Sequence, residues 1–315
     1  MSEVAELFTL TFLVALLSAG LRLSTPILLG ALGEVFAERS GILNIGVEGM
    51  MLMGALAGVL GAQFGGTPWA GLLLGMIVGL LVSLIHAFFT ITLRGDQIVS
   101  GVAVNILALG LSTFIFRGVF GITILPVTVR SFRPIRVPGL AEIPVLGPVL
   151  FQQSALVYLA LALVPVIWFV LMKTPLGLKI RTVGEHPKAA DTVGINVTWI
   201  RYLCTALGGV LAGMGGCFLS IGQLNFFADN MTAGRGFIAL AAVIFGRWNP
   251  FGVLGASVIF GVAEAVALRL QARGLDIPYE FLFMLPYVLT IVALAGLVGR
   301  TEYPKALGIP YRRGS

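Results

Sequence analysis

The chain has 315 residues, 58% of them apolar or aromatic and only 11% charged, with a mean hydropathy of +1.01. A soluble domain carries about 25% charged residues, so this composition excludes a soluble enzyme, a disulfide scaffold and a disordered tail. Twenty Lys and Arg against 14 Asp and Glu leave a net charge of +6, which the basic loops of a membrane protein explain better than nucleic-acid binding does.

The apolar residues run in long uncharged blocks, and a membrane span needs ~20 of them. Candidate spans fall at 5–23, 43–62, 69–92, 97–117, 154–172, 199–222, 232–246, 250–268 and 282–299, the seventh being short. The N-terminus carries Glu3 and Glu6 and no early basic residue, so the first block is expected to be retained as a helix rather than cleaved as a signal peptide. Between the first two blocks, Thr25 and Pro26 read as a helix cap and first-turn proline, and Thr25 to Ser40 is too short in its apolar part to span. The expectation there is a half-helix that re-enters or ends within the membrane, tolerated only where protein or a wet cavity covers its free backbone. Cys204 and Cys217 share one block and would lie about 20 Å apart along a helix, too far for a disulfide.

Basic loops set the expected orientation. Lys173, Lys179, Arg181, Lys188 and Arg201 gather in one connector, and Arg300, Lys305, Arg312 and Arg313 in the C-terminal tail; four spans separate them, so both can face the cytoplasm with Arg94 and Arg247. The 118–153 loop then lies outside despite Arg130, Arg133 and Arg136, and its prolines imply an irregular, partly ordered cap. Glycines recur at four-residue spacing (Gly54 and Gly58; Gly71, Gly75 and Gly79; Gly209 and Gly213), a smooth stripe that lets helices approach closely. A faint echo between Gly41–Ala62 and Gly234–Ala256 has the form of an inverted repeat.

Enzyme signatures are absent: there is no G-x-x-x-x-G-K-[ST], H-E-x-x-H or G-x-S-x-G motif, and the two histidines, His86 and His186, do not converge. The informative residues are polar ones inside apolar blocks. Asn44 and Glu48 stand four apart in GILNIGVEGMM, hence on one face if the segment is helical. An acid at this depth marks either a pathway or a support for a neighbouring broken helix. Gln97, Gly101 and Asn105 form a second stripe, whose amides fit an uncharged polar solute or an interhelical bond equally. Gln223, Asn225 and Asp229 read as a loop, and Glu264 as the partner of a basic group. In the 173–201 connector, Pro187 to Asp191 reads as a short helix ending near Gly194, placed to dock in another protein's groove or to serve as a solvated basic loop.

Three segments, GILNIGVEGMMLMGA, GDQIVSGVAVNILALG and TPLGLKIRTVGEHPKAADTVGINV, together resemble permease subunits of bacterial ABC importers, nearest the nucleoside and simple-sugar branch of the superfamily that includes ribose and branched-chain amino acid permeases. The likeness runs from about Thr25 to Gly299. It implies an all-α, polytopic transmembrane bundle with broken or re-entrant helices, one permease domain over 1–315, in the bacterial inner membrane. Gly184, Glu185, His186, Pro187, Ala189, Ala190 and Gly194 match the cytoplasmic loop, here 173–198, that such permeases insert into a cleft of the ATPase subunit. The resemblance also implies a second permease subunit, homologous or identical, and an extracytoplasmic binding protein. ATP and Mg would be used by the partner ATPase, with no cofactor bound by this chain.

With Asn44, Glu48, Gln97 and Asn105 as the candidate pathway residues, a path lined by Asn44, Gln97 and Asn105 suits a neutral polyhydroxylated solute, a nucleoside first and a simple sugar second. The competing class is an ion-coupled carrier using Glu48, Glu264 or Asp96.

Overall fold

A computed structural model describes residues 10–122, 126–272, 284, 288 and 303–312. Its helices are α1 (Leu10–Arg39), α2 (Val47–Gly65), α3 (Pro68–Ala87), α4 (Gln97–Phe120), α5 (Leu146–Leu150), α6 (Ala155–Lys173), α7 (Pro175–Glu185), α8 (Pro187–Thr192), α9 (Val197–Cys217), α10 (Arg235–Phe245) and α11 (Pro250–Ala272). Wider π-helical turns extend α3 through Phe88–Thr92 and α9 through Phe218–Leu224. Seven helices among the described residues are long and apolar enough to cross a membrane, while α10 is shorter. They match the expected blocks within a few residues from 43 to 268; the block at 282–299 lies almost wholly outside the described residues.

The first element departs from expectation. The half-helix expected from Thr25 to Ser40 is instead the second half of one 30-residue helix, α1, with Pro26 inside it. Proline removes one helical N–H, but a span can absorb that loss where neighbouring helices and hydroxyls serve the freed backbone. Pro26 frees the Arg22 carbonyl, next to the Leu21 carbonyl that accepts from both the Ser24 and Thr25 hydroxyls at 2.8 and 2.9 Å, and α11 packs alongside through the close approach of Gly261 to Gly20 and Ser24.

α2 and α9 form the enclosed centre, with α1 and α3 packed on them and α4 on the outer face of α2. The glycine stripes explain the density. A Cβ on Gly54 would meet the backbone of Gly213, one on Gly213 would meet Gly75, and one on Gly79 would meet Gly209. Cys217, free and buried like Cys204, fills the space beside Gly75. Gly213→Val is therefore expected to force α2, α3 and α9 apart, because overpacking a tight core costs ~1–3 kcal/mol and more against rigid backbone. Detergent-solubilised variant should lose its monodisperse peak, whereas Gly110→Val, at a position with nothing near it, should keep it.

The exposed faces of α3 and α4 carry Leu73, Ile77, Leu81, Val102, Ile106 and Phe114, a lipid-facing surface. Over one end lies a cap in which β1 (Pro134–Arg136) pairs antiparallel with β2 (Gln152–Ser154), with α5 between them. Arg130 of this cap donates to the Gly66 carbonyl at 3.1 Å, at the end of α2. The opposite end gathers Arg39, the α7–α8 pair, Trp248 and the tail 303–312.

Candidate functional site

The chain leaves helical geometry after Arg39 and regains it at Val47. Gly41 takes φ +91, and the segment 40–46 runs through the bundle as a break whose backbone needs partners. Those partners are residues that the sequence singles out. Gln97 Oε1 accepts from Leu43 N at 2.7 Å. Asn105 Nδ2 donates to the Ile45 carbonyl at 3.0 Å while its Oδ1 accepts from Gly49 N at 2.8 Å. Asn44 Nδ2 donates to Glu34 Oε1 on α1 at 2.7 Å. Gly101 lets α4 close on this segment, since a Cβ there would press on Ile45 and Gly46. Asn44 and Glu48 do not share a helix face as expected: Asn44 lies within the break, and only Glu48 stands in the first turn of α2.

A second break faces the first. After the π-turn of α9 the chain runs through 225–234, anchored by Asp229, which accepts from Thr113 at 3.0 Å and pairs with Arg117 at 3.1 Å. At Gly234, φ +86, it turns into α10. The Glu48 carboxylate sits on that helix start: Oε1 accepts from Gly234 N at 2.8 Å and Oε2 from Gly236 N at 2.6 Å. A helix N-terminus presents unpaired N–H groups and the positive end of its dipole, so a carboxylate there satisfies both. Arg235 beside it pairs with Glu264 of α11, the basic partner expected for that acid. α10 runs alongside α1, Ala239 against Gly30 and Trp248 against Glu38, whereas α2 runs back along α1 from Val47. Two helices thus start near one depth and run in opposite directions, the arrangement that the faint sequence echo describes.

The residues of the 173–198 connector form a seat at the basic end. Thr174 and Pro175 start α7, the Thr hydroxyl accepting from Gly177 N at 3.2 Å, and Pro187 starts α8 one residue after α7 ends. Gly194, φ +84, turns the chain into α9. Gly184 packs so closely on the Arg39 carbonyl that no side chain fits there. Ala190 is buried beneath α8, and His186, Lys188, Ala189, Val193 and Gly194 are exposed, with Glu185 and Pro187 half-buried.

Sequence reasoning passed over the first of three parts of this seat and read the other two, Arg201 and the tail, only as basic loop residues. Trp248 Nε1 donates to the buried Glu38 carboxylate at 2.5 Å, and Arg39 returns to the Trp248 carbonyl at 3.2 Å. Arg201, only 1% exposed, donates to the Ser40 carbonyl at 3.2 Å and the Ile309 carbonyl at 3.1 Å. The tail closes the ring, Ala306 N donating to Gly184 O at 2.8 Å and Gly308 N to Gly41 O at 3.2 Å. An arginine within an apolar block was the available signal for Arg201; nothing in the sequence marks the tail.

A lipid-embedded helical bundle with two facing helix breaks, and a seat of short helices locked to the end of its longest span, has the build of a transport permease. The chain belongs to the family described as "Branched-chain amino acid transport system / permease component", which matches residues 16–294. Over 303 residues it is 46% identical to the guanosine ABC transporter permease protein NupQ of Bacillus subtilis, covering 92% of this chain and 94% of that one. It is 41% identical to the nucleoside ABC transporter permease protein NupC of Lactococcus lactis subsp. cremoris, over 91% and 93% of the two chains. A putative glucose ABC transporter permease protein of Haloferax volcanii, TsgC13, is 37% identical over 96% and 99%. The protein is a multi-pass permease of the inner membrane.

Proposed function

We propose that this chain is the membrane subunit of an ATP-driven importer whose solute is a nucleoside, with a simple sugar second. The solute class rests on the printed names of the relatives at 46% and 41% identity, and the second choice on the one at 37%. The drive enters at α7–α8, where a separate ATPase holding ATP and Mg docks on the exposed rim of His186, Lys188, Ala189 and Val193. A second permease subunit completes the pathway, and an external binding protein delivers the solute.

One observation supports the coupling role above the others: the seat is continuous with the helix break. Gly184 bears on Arg39, Arg201 holds Ser40, and Glu34 of the same helix holds Asn44. Displacing α7–α8 therefore displaces the end of α1 and the segment 40–46 with it. In this reading Asn44, Glu48, Gln97 and Asn105 shape the pathway by holding that segment and the start of α10 in register, Asn105 being the one of the four that is half-buried. The ion-coupled alternative is weaker, because Glu48 and Glu264 are already engaged by backbone N–H groups and by Arg235.

The test is reconstitution with the cognate ATPase, partner permease and binding protein. Guanosine uptake should require ATP hydrolysis. Replacing Glu185 and the Pro187–Ala190 turn by a Gly-Ser stretch should lower uptake by more than about tenfold, equivalent to ~1.4 kcal/mol, and release the ATPase during purification. Uptake driven by a proton gradient without the ATPase, or undiminished ATPase co-purification, would count against this reading.

A further inference from the structure

The corner at which α6 gives way to α7 carries side chains that neither the bundle nor the seat uses. α6 ends in Lys173, whose ammonium lies over the Trp168 ring, 5.7 Å from its centroid. That ring in turn meets Phe251 of α11 edge to face, with 5.8 Å between centroids. An indole face attracts a cation, and Trp itself favours the boundary between lipid and water. α7 then folds straight back. A Cβ on Gly177 would strike the carbonyls of Val170 and Leu171, so the first turn of α7 stands at the depth of the last turn of α6.

This placement gives α7 two unlike faces. Gly177, Ile180, Val183 and Gly184 are buried against the bundle. Leu178 is 59% exposed with exposed Lys179 beside it, and Phe169 and Phe251 at the same corner are 57% and 49% exposed. A single apolar side chain on a surface is ordinary, but these flank the end of a span together with two lysines. Neither Lys173 nor Lys179 has a carboxylate partner among the described residues. Long amine chains set among exposed apolar groups, with their charge uncompensated, are the build of a helix lying in a membrane surface. The rim that takes the ATPase is separate, since Leu178 stands seven residues before the end of α7, a rise of about 10 Å.

We infer that this corner binds an anionic phospholipid of the cytoplasmic leaflet, its headgroup drawn by Lys173 and Lys179 and its chains laid against Phe169, Leu178 and Phe251. The basic loops assign this end of the bundle to the cytoplasm, and the leaflet there carries the negative surface that basic side chains favour. A zwitterionic lipid offers the same chains without net charge, and a soluble anion offers the charge without the chains. α7 therefore rests on lipid along one face and on the bundle along the other, so the charge of the leaflet helps to set the height of the seat. This contact is independent of which solute the permease carries.

The test is native mass spectrometry of the assembled transporter, with dioleoyl phosphatidylglycerol and dioleoyl phosphatidylcholine as probes. The anionic lipid should be retained in preference to the zwitterionic one. Lys173→Met and Lys179→Met should each weaken its retention about fivefold, and together by more than about tenfold, as the loss of basic side chains beside an anionic surface implies. Arginine at both positions should keep it. Arg133→Met combined with Arg136→Met, at exposed positions on the cap, should leave it unchanged. Size-exclusion profiles matching the unmodified complex establish that the variants are folded. Equal retention of the two lipids, a double lysine variant that holds phosphatidylglycerol like the unmodified complex, or full displacement by inorganic phosphate would overturn the inference. Retention by the permease without its ATPase, and none by the assembled transporter, would assign this face to the ATPase and overturn it as well.

Discussion

Replacing Glu48 by alanine is expected to unfold the centre of the molecule before it alters solute choice. The carboxylate accepts from Gly234 N and Gly236 N at the start of a helix of only 11 residues, enclosed by protein at membrane depth. A hydrogen bond to a charged group contributes ~1.5–3 kcal/mol, and stripping the acceptor leaves two donors unpaired, the buried Gly236 N and the half-buried Gly234 N. The loss is then on the order of 3 kcal/mol or more, a large part of a net stability of ~5–15 kcal/mol. Glu48→Ala should lower the thermal midpoint in detergent and abolish uptake together. Glu48→Gln keeps one acceptor oxygen and turns its NH2 toward the other donor, so an intermediate midpoint is expected. If Glu48 touched solute and did no structural work, both variants would keep the parental midpoint and change only KM or rate. The thermal scan therefore separates support from pathway directly.

That contrast also shows what the residues disclose in one dimension. Long uncharged blocks located the spans from 43 to 268, because lipid imposes the same length and apolarity on every spanning helix. The four-residue glycine spacing located close packing, and the structure places Gly54, Gly75, Gly79, Gly209 and Gly213 at one crossing of three helices. The chemistry of the break was legible as a set of residues, Asn44, Glu48, Gln97 and Asn105, and illegible as geometry. Asn44 meets the Glu34 carboxylate, but the partners of Glu48, Gln97 and Asn105 are backbone groups of residues 43–49 and of Gly234 and Gly236, and backbone identity is the same everywhere along a sequence.

Pro26 misled for a related reason. Proline is a stop signal when judged by local hydrogen bonds alone, but at this position the close packing of α11 on Gly20 and Ser24 carries the chain through. The true breaks announce themselves by residues that tolerate positive φ, Gly41 in the first and Asn225, Asn230 and Gly234 in the second.

Removing the tail after Tyr303 should uncouple the transporter without dismantling it. Residues 304–309 bridge three parts that lie far apart in sequence: Gly184 at the end of α7, Gly41 at the helix break and Arg201 of α9. Through Ser40 O and Ile309 O, the Arg201 guanidinium joins the break to the tail. Without the tail, α7 keeps its packing on Arg39 and α9 but loses the backbone bond from Ala306, so motion at the seat reaches the break more loosely. The truncated chain should assemble with its ATPase and hydrolyse ATP, with solute uptake per ATP reduced by roughly fivefold to tenfold, equivalent to ~1–1.4 kcal/mol of lost coupling. Arg201→Met should show the same defect with an added loss of stability, because it leaves the Ser40 carbonyl unpaired in a buried site. Arg201→Lys carries a single charged head and cannot span both carbonyls in the fixed fork of a guanidinium, so it should fall between. Uptake per ATP equal to that of the full chain after truncation would show that the tail only covers the basic end, and would leave the packing of Gly184 on Arg39 and of the seat on α9 to carry motion to the break.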